Sequence, residues 1–554
     1  MQIVVPMSGF GERFRNVGYK VPKPLIEIDG KPIIAHIIEM FPGETNFIFI
    51  CNEDHLNASE YKMEEILRSY CPTGQIVSVA PHKLGPVHAV MMASVYIDPN
   101  LPTIVNYCDF TCYWDWHDFV SVIEKTGCDG AIPAYKGFHP HSLGTTNYAY
   151  LREQDGWVSD IQEKQPYTNN RMEEYASSGT YYFSSAKLMF EAFTKMKEDD
   201  LKLGGEYYVS LAYKPLFADN KKVLVYPLQH FMQWGTPEDV REYNGWSRVF
   251  SSYIKPLEIG EPTGTVIVPM AGLGQRFVNE GYKDTKPLIE VSGKPMVIQA
   301  VNDLPLANSY AFVLRKDMPN VEEISGTLRD EFPCSLLCMV PAVTEGQACT
   351  ALFGLEEALR QQANLEGPFT FGACDNGILY QQSSLDEILR DDFVDVVVWG
   401  VRSHPNALRN PHMYGWIAES DNMVSSISVK TPLASPETDP IVIGAFTFKK
   451  YEDFLKCTER MFSREARVNG EFYLDTCIND ALELGLSCKL FEVDDYISWG
   501  TPNDLKTFEY WQSCFHKWPS HPYSVYTDHR VPELKARELD QKYAIMVPDV
   551  SYDS

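Results

Sequence analysis

The chain has 554 residues, 44% hydrophobic, 22% charged and 13% aromatic, the composition of a folded protein with length for two to four domains. Its 48 Lys and Arg stand against 75 Asp and Glu, a net charge of -27. A field of that sign repels a nucleic-acid backbone and an anionic membrane surface, so neither is an expected partner, and any phosphate must sit in a small, locally basic pocket.

The first apolar run, Ile3–Pro6, reads as a strand that passes straight into the loop Gly9-Phe10-Gly11-Glu12-Arg13-Phe14. It leaves no room for a signal peptide, and no apolar run reaches the ~20 residues of a membrane span. The expected setting is therefore cytoplasmic, without membrane insertion. In the loop, two glycines let the backbone approach an anion, successive N–H groups form a nest for phosphate oxygens, and Arg13 adds a charged fork. A plain structural turn would read the same way. Lys23 stands between Pro22 and Pro24, which hold the chain extended around it. Pro32–Met40 reads as a helix opened by proline, Asn46–Cys51 as a buried strand and Pro86–Ile97 as a helix. Thr103–Cys108 reads as a strand that ends on Asp109, whose plainer role would be to cap a helix from Trp114. Strands alternating with helices indicate an α/β protein with a parallel sheet, whose ligands gather at the carboxyl ends of the strands. The glycine loop and Asp109 both fall at such ends. His139 and His404, each before a proline, read as turn residues. The 13 cysteines are scattered, and neither Cys108/Cys112 nor Cys334/Cys338 has a second pair or a histidine at zinc spacing. Reduced structural thiols are expected.

The chain then repeats itself. Residues 4–27 and 267–290 are identical at 16 of 24 ungapped positions, at an offset of 263. Arg13 and Lys23 recur as Arg276 and Lys286. Asp109 recurs as Asp375, Lys164 as Lys430, Gly179 as Gly444, Glu206 as Glu471, and Trp234-Gly235-Thr236-Pro237 as Trp499-Gly500-Thr501-Pro502, all at offsets of 265 or 266. Units of this length are whole domains in tandem, not solenoid turns. The expected layout is a domain over 1–250, a linker over 251–263, a domain over 264–516 and a C-terminal arm over 517–554. The arm has no counterpart in the first half and is expected to lie on the surface or on a partner, which leaves a homo-oligomer open.

The strand, the G-x-G-x-R loop and the downstream P-K, written here PMSGFGERF and GYKVPKPLIEIDGKP, resemble the sugar nucleotidyltransferases (NDP-sugar pyrophosphorylases). The form is most similar to the nucleotidyltransferase-like proteins of bacterial capsule loci. Gln162-Glu163-Lys164 resembles that family's E-K-P segment and Ser178-Gly179-Thr180-Tyr181 its sugar-binding strand. Gly205-Glu206 resembles the opening of a late helix, and Trp234–Glu238 the closing G-T-P-E. The resemblance implies two tandem Rossmann-like (GT-A-like) domains with mostly parallel central sheets. It implies an Mg²⁺-dependent transfer of a nucleoside monophosphate from an NTP, with a pyrimidine preferred, to a sugar or polyol phosphate. Pyrophosphate leaves, and the product serves surface polysaccharide synthesis. By the same resemblance Arg13, Lys23, Arg276 and Lys286 are catalytic, Arg13 on the β/γ-phosphates and Lys23 on the α-phosphate. Met7, Ser8, Gly9, Gly11 and Gly85 would bind nucleotide, as would Met270, Ala271, Gly272, Gly274, Gly346 and Gln347. Glu163, Lys164 and Gly179, with Lys430 and Gly444, would hold the acceptor, although a solvated lysine after a strand is the plainer reading of Lys164. Asp109 and Asp375 would hold the metal.

The chain also departs from the family. Gln233 and Ser498 stand where many relatives have a second metal-binding aspartate; Glu206 and Glu471, Asp494 or Asp495 are the substitutes in view. Thr285 replaces Pro22 and Val429 replaces Glu163, so the halves have two activities, or one active and one regulatory half. Two other readings stay open. One is a GT-A glycosyltransferase using an NDP-sugar, which usually needs a D-x-D that neither Asp109-Phe110-Thr111 nor Asp375-Asn376-Gly377 supplies. The other is a non-catalytic nucleotide sensor or scaffold, which would not need Arg, Lys, Asp and Lys kept twice.

Overall fold

The computed structural model describes residues 1–145, 147–256, 260–361 and 365–544. The chain forms two compact units, Met1–Arg248 with Ser513–Pro522 and the stretch from Asp540, and Val249–Gln512 with Tyr523–Leu539. Residues 257–259 of the expected linker and 545–554 of the expected arm lie outside the described residues.

The first unit is built on a ten-stranded sheet. One side is the expected parallel array: Gln2–Met7 lies between Phe47–Asn52 and Thr103–Asn106, and Gln75–Val79 closes the edge beside Phe47–Asn52. Gln2–Met7 and Phe47–Asn52 are mainly apolar because both faces are covered, each being buried at every position, while the edge strand exposes Gln75 and Ser78. The helix Ile33–Glu39 follows Pro32, and Pro86–Met92 starts on its proline; both prolines fit a first helical turn, where the missing N–H costs nothing. Val4, Ile48 and Val105 pack with Val87 and Val90 of the second helix into the core.

The other side of the sheet is not parallel, so the expectation of mostly parallel sheets is corrected to mixed ones. Thr180–Phe183 runs antiparallel to Thr103–Asn106 and to Gly130–Tyr135. Ala149–Gln154 and Trp157–Glu163 form a hairpin. The physical reason lies in its turn: Asp155 and Gly156 have φ of 53° and 83°, and a two-residue turn with both residues left-handed can join only antiparallel strands. Asp421 and Asn422, at φ 52° and 62°, do the same between Gly415–Ser420 and Met423–Val429 in the second unit.

The second unit repeats the plan with nine strands. Thr265–Pro269 lies parallel to Ser309–Arg315 and Phe369–Phe371. Ile441–Phe448 runs antiparallel to Phe369–Phe371 and Val396–Val401. Its sheet is buried on both faces, by a cluster around Ala351, Phe454 and Ile478 and by another around Ile298, Leu328 and Trp399.

The stretch after Lys517 is anchored at alternating positions, although most of the helix Glu533–Ala544 is exposed. Trp518 and His521 are buried in the first unit, and Tyr523, Val525, Asp528 and Arg530 in the second. The segment carries too many aromatic and apolar side chains to remain in water at no cost. All 13 cysteines are unpaired. Among the described residues no helix is long and apolar enough to cross a membrane.

Candidate active site

Each unit places its glycine loop at the carboxyl end of its first strand. Gly11 and Gly274 sit at φ 64° and 63°, directly before the short helices Glu12–Asn16 and Gln275–Asn279. A side chain at Gly11 would come within 3.8 Å of the Lys23 Cβ, and at Gly274 within 3.2 Å of the Lys286 Cβ. Glycine therefore serves the left-handed turn at both positions, and at Gly274 also the closer approach of the lysine. Each loop is braced from behind by the end of a neighbouring strand. Asn52 Nδ2 donates to the Ser8 carbonyl at 3.1 Å, while Arg315 Nη1 donates to the carbonyls of Ala271 and Gly272 at 2.9 and 3.1 Å. The sequence reading missed both braces. Their one signal was a polar side chain closing an otherwise apolar strand.

Lys23 Nζ donates to Asp109 Oδ2 at 2.8 Å and to the Gly235 carbonyl at 3.2 Å. The second unit repeats this: Lys286 Nζ bonds Asp375 Oδ2, and the Gly500 carbonyl at 3.2 Å. Burial alone would depress the Lys286 ammonium, but the Asp375 carboxylate more than reverses this and its pKa is raised. Asp109 does not cap the following helix. That helix is Trp116–Thr126, and Asp115 caps it by accepting from the Asp118 amide. Asp109 is held instead through its backbone, its carbonyl accepting from the Trp234 amide at 2.7 Å; Asp375 and Trp499 repeat the bond at 2.8 Å.

Around this pair in the first unit lie two adjoining pockets, of about 480 and 220 Å³. Ser8, Gly9, Gly11 and Gly85 line the larger one, whereas Glu163, Lys164 and Gly179 line the smaller. Arg13, Lys23 and Asp109 line both. In the first half, these residues expected for nucleotide and for acceptor line different pockets, with Arg13, Lys23 and Asp109 lining both. Met7 does not line either pocket; it is 2% exposed, within the strand. Met270 and Ala271, each 4% exposed, are likewise buried.

Gly85 and Gly346 have φ of 87° and 139°. A Cβ there would meet the Tyr207 amide at 2.7 Å and the Phe472 carbonyl at 2.4 Å. The loops before the helices Pro86–Met92 and Gln347–Gln361 are laced to those segments, as Val87 to Tyr207 and Ala348 to Phe472. Lys164 and Lys430 both adopt left-handed φ, 57° and 61°. Lys164 Nζ donates to the Tyr208 hydroxyl at 2.8 Å, which donates in turn to Glu206 at 2.6 Å. Lys430 Nζ bonds the Met413 carbonyl and lies 5.5 Å from the Tyr473 ring. Gly179 and Gly444 are also left-handed, at 101° and 79°.

A second carboxylate stands beside Asp109. A Cβ at Gly235 would lie 3.6 Å from both Asp109 Oδ2 and Asp239 Oδ2. Asp239 also accepts from the Thr236 amide at 2.8 Å at the start of the helix Pro237–Ser252. Burial pushes its carboxyl up to about 6 against those bonds. Asp504 repeats the arrangement next to Asp375 and is likewise raised. Gln233 pairs with Phe110, directly after Asp109, and Ser498 with Asn376. The substitutes weighed from sequence did not include Asp239 or Asp504, because a carboxylate three residues after Thr236 reads as a helix cap. Among the described residues no group of three or more His, Cys, Asp or Glu converges. Asp109 and Asp239 line one open pocket, and two hard carboxylates so placed would suit Mg²⁺, which keeps several waters, better than a cation needing a closed cage.

Residues 4–231 match the family model for Nucleotidyl transferase. Mannose-1-phosphate guanyltransferase beta-B of Xenopus laevis is 26% identical over 290 residues, 50% of this chain and 73% of that protein. Bifunctional protein GlmU of Methanococcus vannielii is 24% identical over 286 residues, 51% of this chain and 61% of that protein. A solved structure, the nucleoside-diphosphate-sugar pyrophosphorylase from Vibrio cholerae, is 19% identical with a TM-score of 0.37, over 44% of this chain and 98% of that one. The similarity to nucleotidyl transferases thus falls on residues 4–231, the stretch that holds Arg13, Lys23 and Asp109.

Proposed function

We propose that the chain transfers a nucleoside monophosphate from an NTP to a sugar or polyol phosphate, with one site in each half. The observation that carries this is the sharing of Arg13, Lys23 and Asp109 between two adjoining pockets, together with the recurrence of the Lys–Asp pair as Lys286 and Asp375. A displacement reaction needs its two substrates held on either side of one reacting centre.

In this reading an oxygen of the acceptor phosphate attacks the α-phosphorus, the α–β bridging P–O bond breaks, and pyrophosphate leaves with that electron pair. Arg13 and the loop amides hold the β- and γ-phosphates. Lys23 leaves Asp109 for the α-phosphate, where charge builds as the bond breaks. Lys164, positioned by Tyr208, grips the acceptor's phosphate, and Glu163 accepts from a hydroxyl. Asp109, with Asp239, would hold Mg²⁺, as would Asp375 with Asp504. When bound, the metal neutralises phosphate charge in the pocket. The expected pyrimidine preference competes with guanine, named for the Xenopus relative. The role in surface polysaccharide synthesis rests on the resemblance to capsule-locus proteins.

The test is pyrophosphate release from CTP, UTP, dTTP, GTP and ATP with Mg²⁺ and a set of sugar and polyol phosphates, for wild type, Asp109→Asn and Asp375→Asn. The expected result is release, with each variant losing a different product by at least 10²-fold. A single variant abolishing all release would restrict catalysis to one half. Nucleotide binding without release would overturn the proposal.

A further inference from the structure

In the first half Glu163, which lines the smaller pocket, accepts from the buried Ser210 Oγ at 2.5 Å. Glu163 lies on the hairpin strand opposite Ala149. In the second half the matching positions are Gly415, Val429 and Asp475, and the hairpin keeps its register, Gly415 lying opposite Val429. The carboxylate has thus left the strand and reappeared on the facing segment, where the first half has only a serine. The glycine makes the exchange possible: a Cβ at 415, as alanine supplies at 149, would come within 2.2 Å of Asp475 Oδ2.

Three positions have changed in concert, and the number of carboxylates has not. Asp475 is partly exposed and sits in the field of Lys430, as Glu163 sits in that of Lys164. Glu163 has Ser210 as a partner, whereas no side chain among the described residues donates to Asp475. A partly exposed carboxylate near Lys430 that accepts from its own backbone amide but from no described side chain is arranged to receive hydroxyl donors from a ligand.

We propose that Asp475 is the carboxylate that recognises the acceptor's hydroxyls in the second half. It approaches from the opposite wall to Glu163, so the two halves select acceptors that differ in where those hydroxyls lie. This rests on the acceptor-pocket reading above, and the experiment separates the two.

The first half is silenced with Asp109→Asn in the full-length chain. KM for acceptor and for NTP is then measured with mannose 1-phosphate, glucose 1-phosphate and glycerol 3-phosphate. Asp475→Asn, nearly isosteric, should raise the acceptor KM about 10- to 100-fold, the worth of a charged hydrogen bond, and leave the NTP KM within twofold. The triple exchange Gly415→Ala, Val429→Glu and Asp475→Ser should shift acceptor preference toward that of the first half, measured in the Asp375→Asn chain. An acceptor KM within twofold of the parent, or both KM values rising together, overturns the inference, while turnover by the parent leaves nucleotidyl transfer standing. If the parent does not turn over, the transfer reading fails for this half, and calorimetric binding of the same three phosphates decides the inference. Binding weakened by Asp475→Asn supports it; equal or absent binding overturns it.

Discussion

Arg530→Ala is expected to destabilise the second unit more than any surface change. Arg530 stacks over Tyr253 at 4.1 Å. It donates through Nη1 to Asp303 Oδ2 at 3.0 Å and through Nη2 to Oδ1. The two side chains are only 8% and 6% exposed. Asp303 Oδ2 also accepts from the Ile378 amide at 2.9 Å, in the strand that follows Asp375 directly. Without Arg530 the carboxylate would keep that single amide bond while remaining buried. Breaking one partner of such a pair costs about 3–5 kcal/mol, whereas replacing both by neutral groups costs little. Burial already raises the Asp303 carboxyl, with Arg530 opposing it, so losing Arg530 raises it further. The sign follows: the electrostatic part of the deficit eases as pH falls through the raised folded-state value and is lost below the unfolded value of about 3.9, where the carboxyl is neutral in both states. Urea unfolding at pH 7 and pH 5, with hydrogen exchange read at the Ile378 segment, measures both effects. Asp303→Asn with Arg530→Met should recover most of the loss. A deficit under about 1 kcal/mol, or a double variant no better than the single one, would refute the assignment of this pair as a buried, coupled unit.

Arg315→Ala should raise the NTP KM of the second half about 5- to 20-fold by releasing the loop carbonyls of Ala271 and Gly272, the worth of one or two hydrogen bonds; an unchanged KM in the Asp109→Asn chain would remove the bracing role. Gly346→Ala puts a Cβ against the Phe472 carbonyl at φ 139°, a strain of about 2–4 kcal/mol, so the melting temperature should fall by about 5–10 °C. The Asp475 carboxyl is pushed up to about 6 by burial, so the folded state binds more protons than the unfolded one between about pH 4 and 6. Stability therefore declines as pH rises through that window. Asp475→Asn should flatten that slope and add about 1–3 kcal/mol at pH 7, discounted for its partial exposure; an unchanged pH profile of the melting temperature would count against the shift.

Much of this protein could be read without its structure because the informative signals are local. The Gly9–Phe14 loop follows its strand directly. Pro22-Lys23-Pro24 advertises a fixed lysine, and the recurrence of each near a period of 265 turns weak motifs into a consistent pattern. The parallel side of each sheet was legible for the same reason, as its strands are apolar and alternate with helices. The antiparallel side was not read, although Asp155-Gly156 and Asp421-Asn422 mark its hairpins; the strand–helix rhythm outweighed two residues of turn chemistry.

Tertiary structure alone decided what meets what. Lys23 and Asp109 are 86 residues apart, and no spacing rule shows that they form a pair at the seam of two pockets. Asp239 reads along the chain as a cap and becomes a neighbour of Asp109 only when the late helix is laid beside the strand end. The exchange of Glu163 and Ser210 for Val429 and Asp475 looks like two unrelated substitutions until the hairpin and its facing segment close on each other. Sequence determines conformation over a few residues through φ, ψ and periodicity. Which carboxylate faces which lysine depends on packing over tens or hundreds of residues, which short-range preferences do not encode.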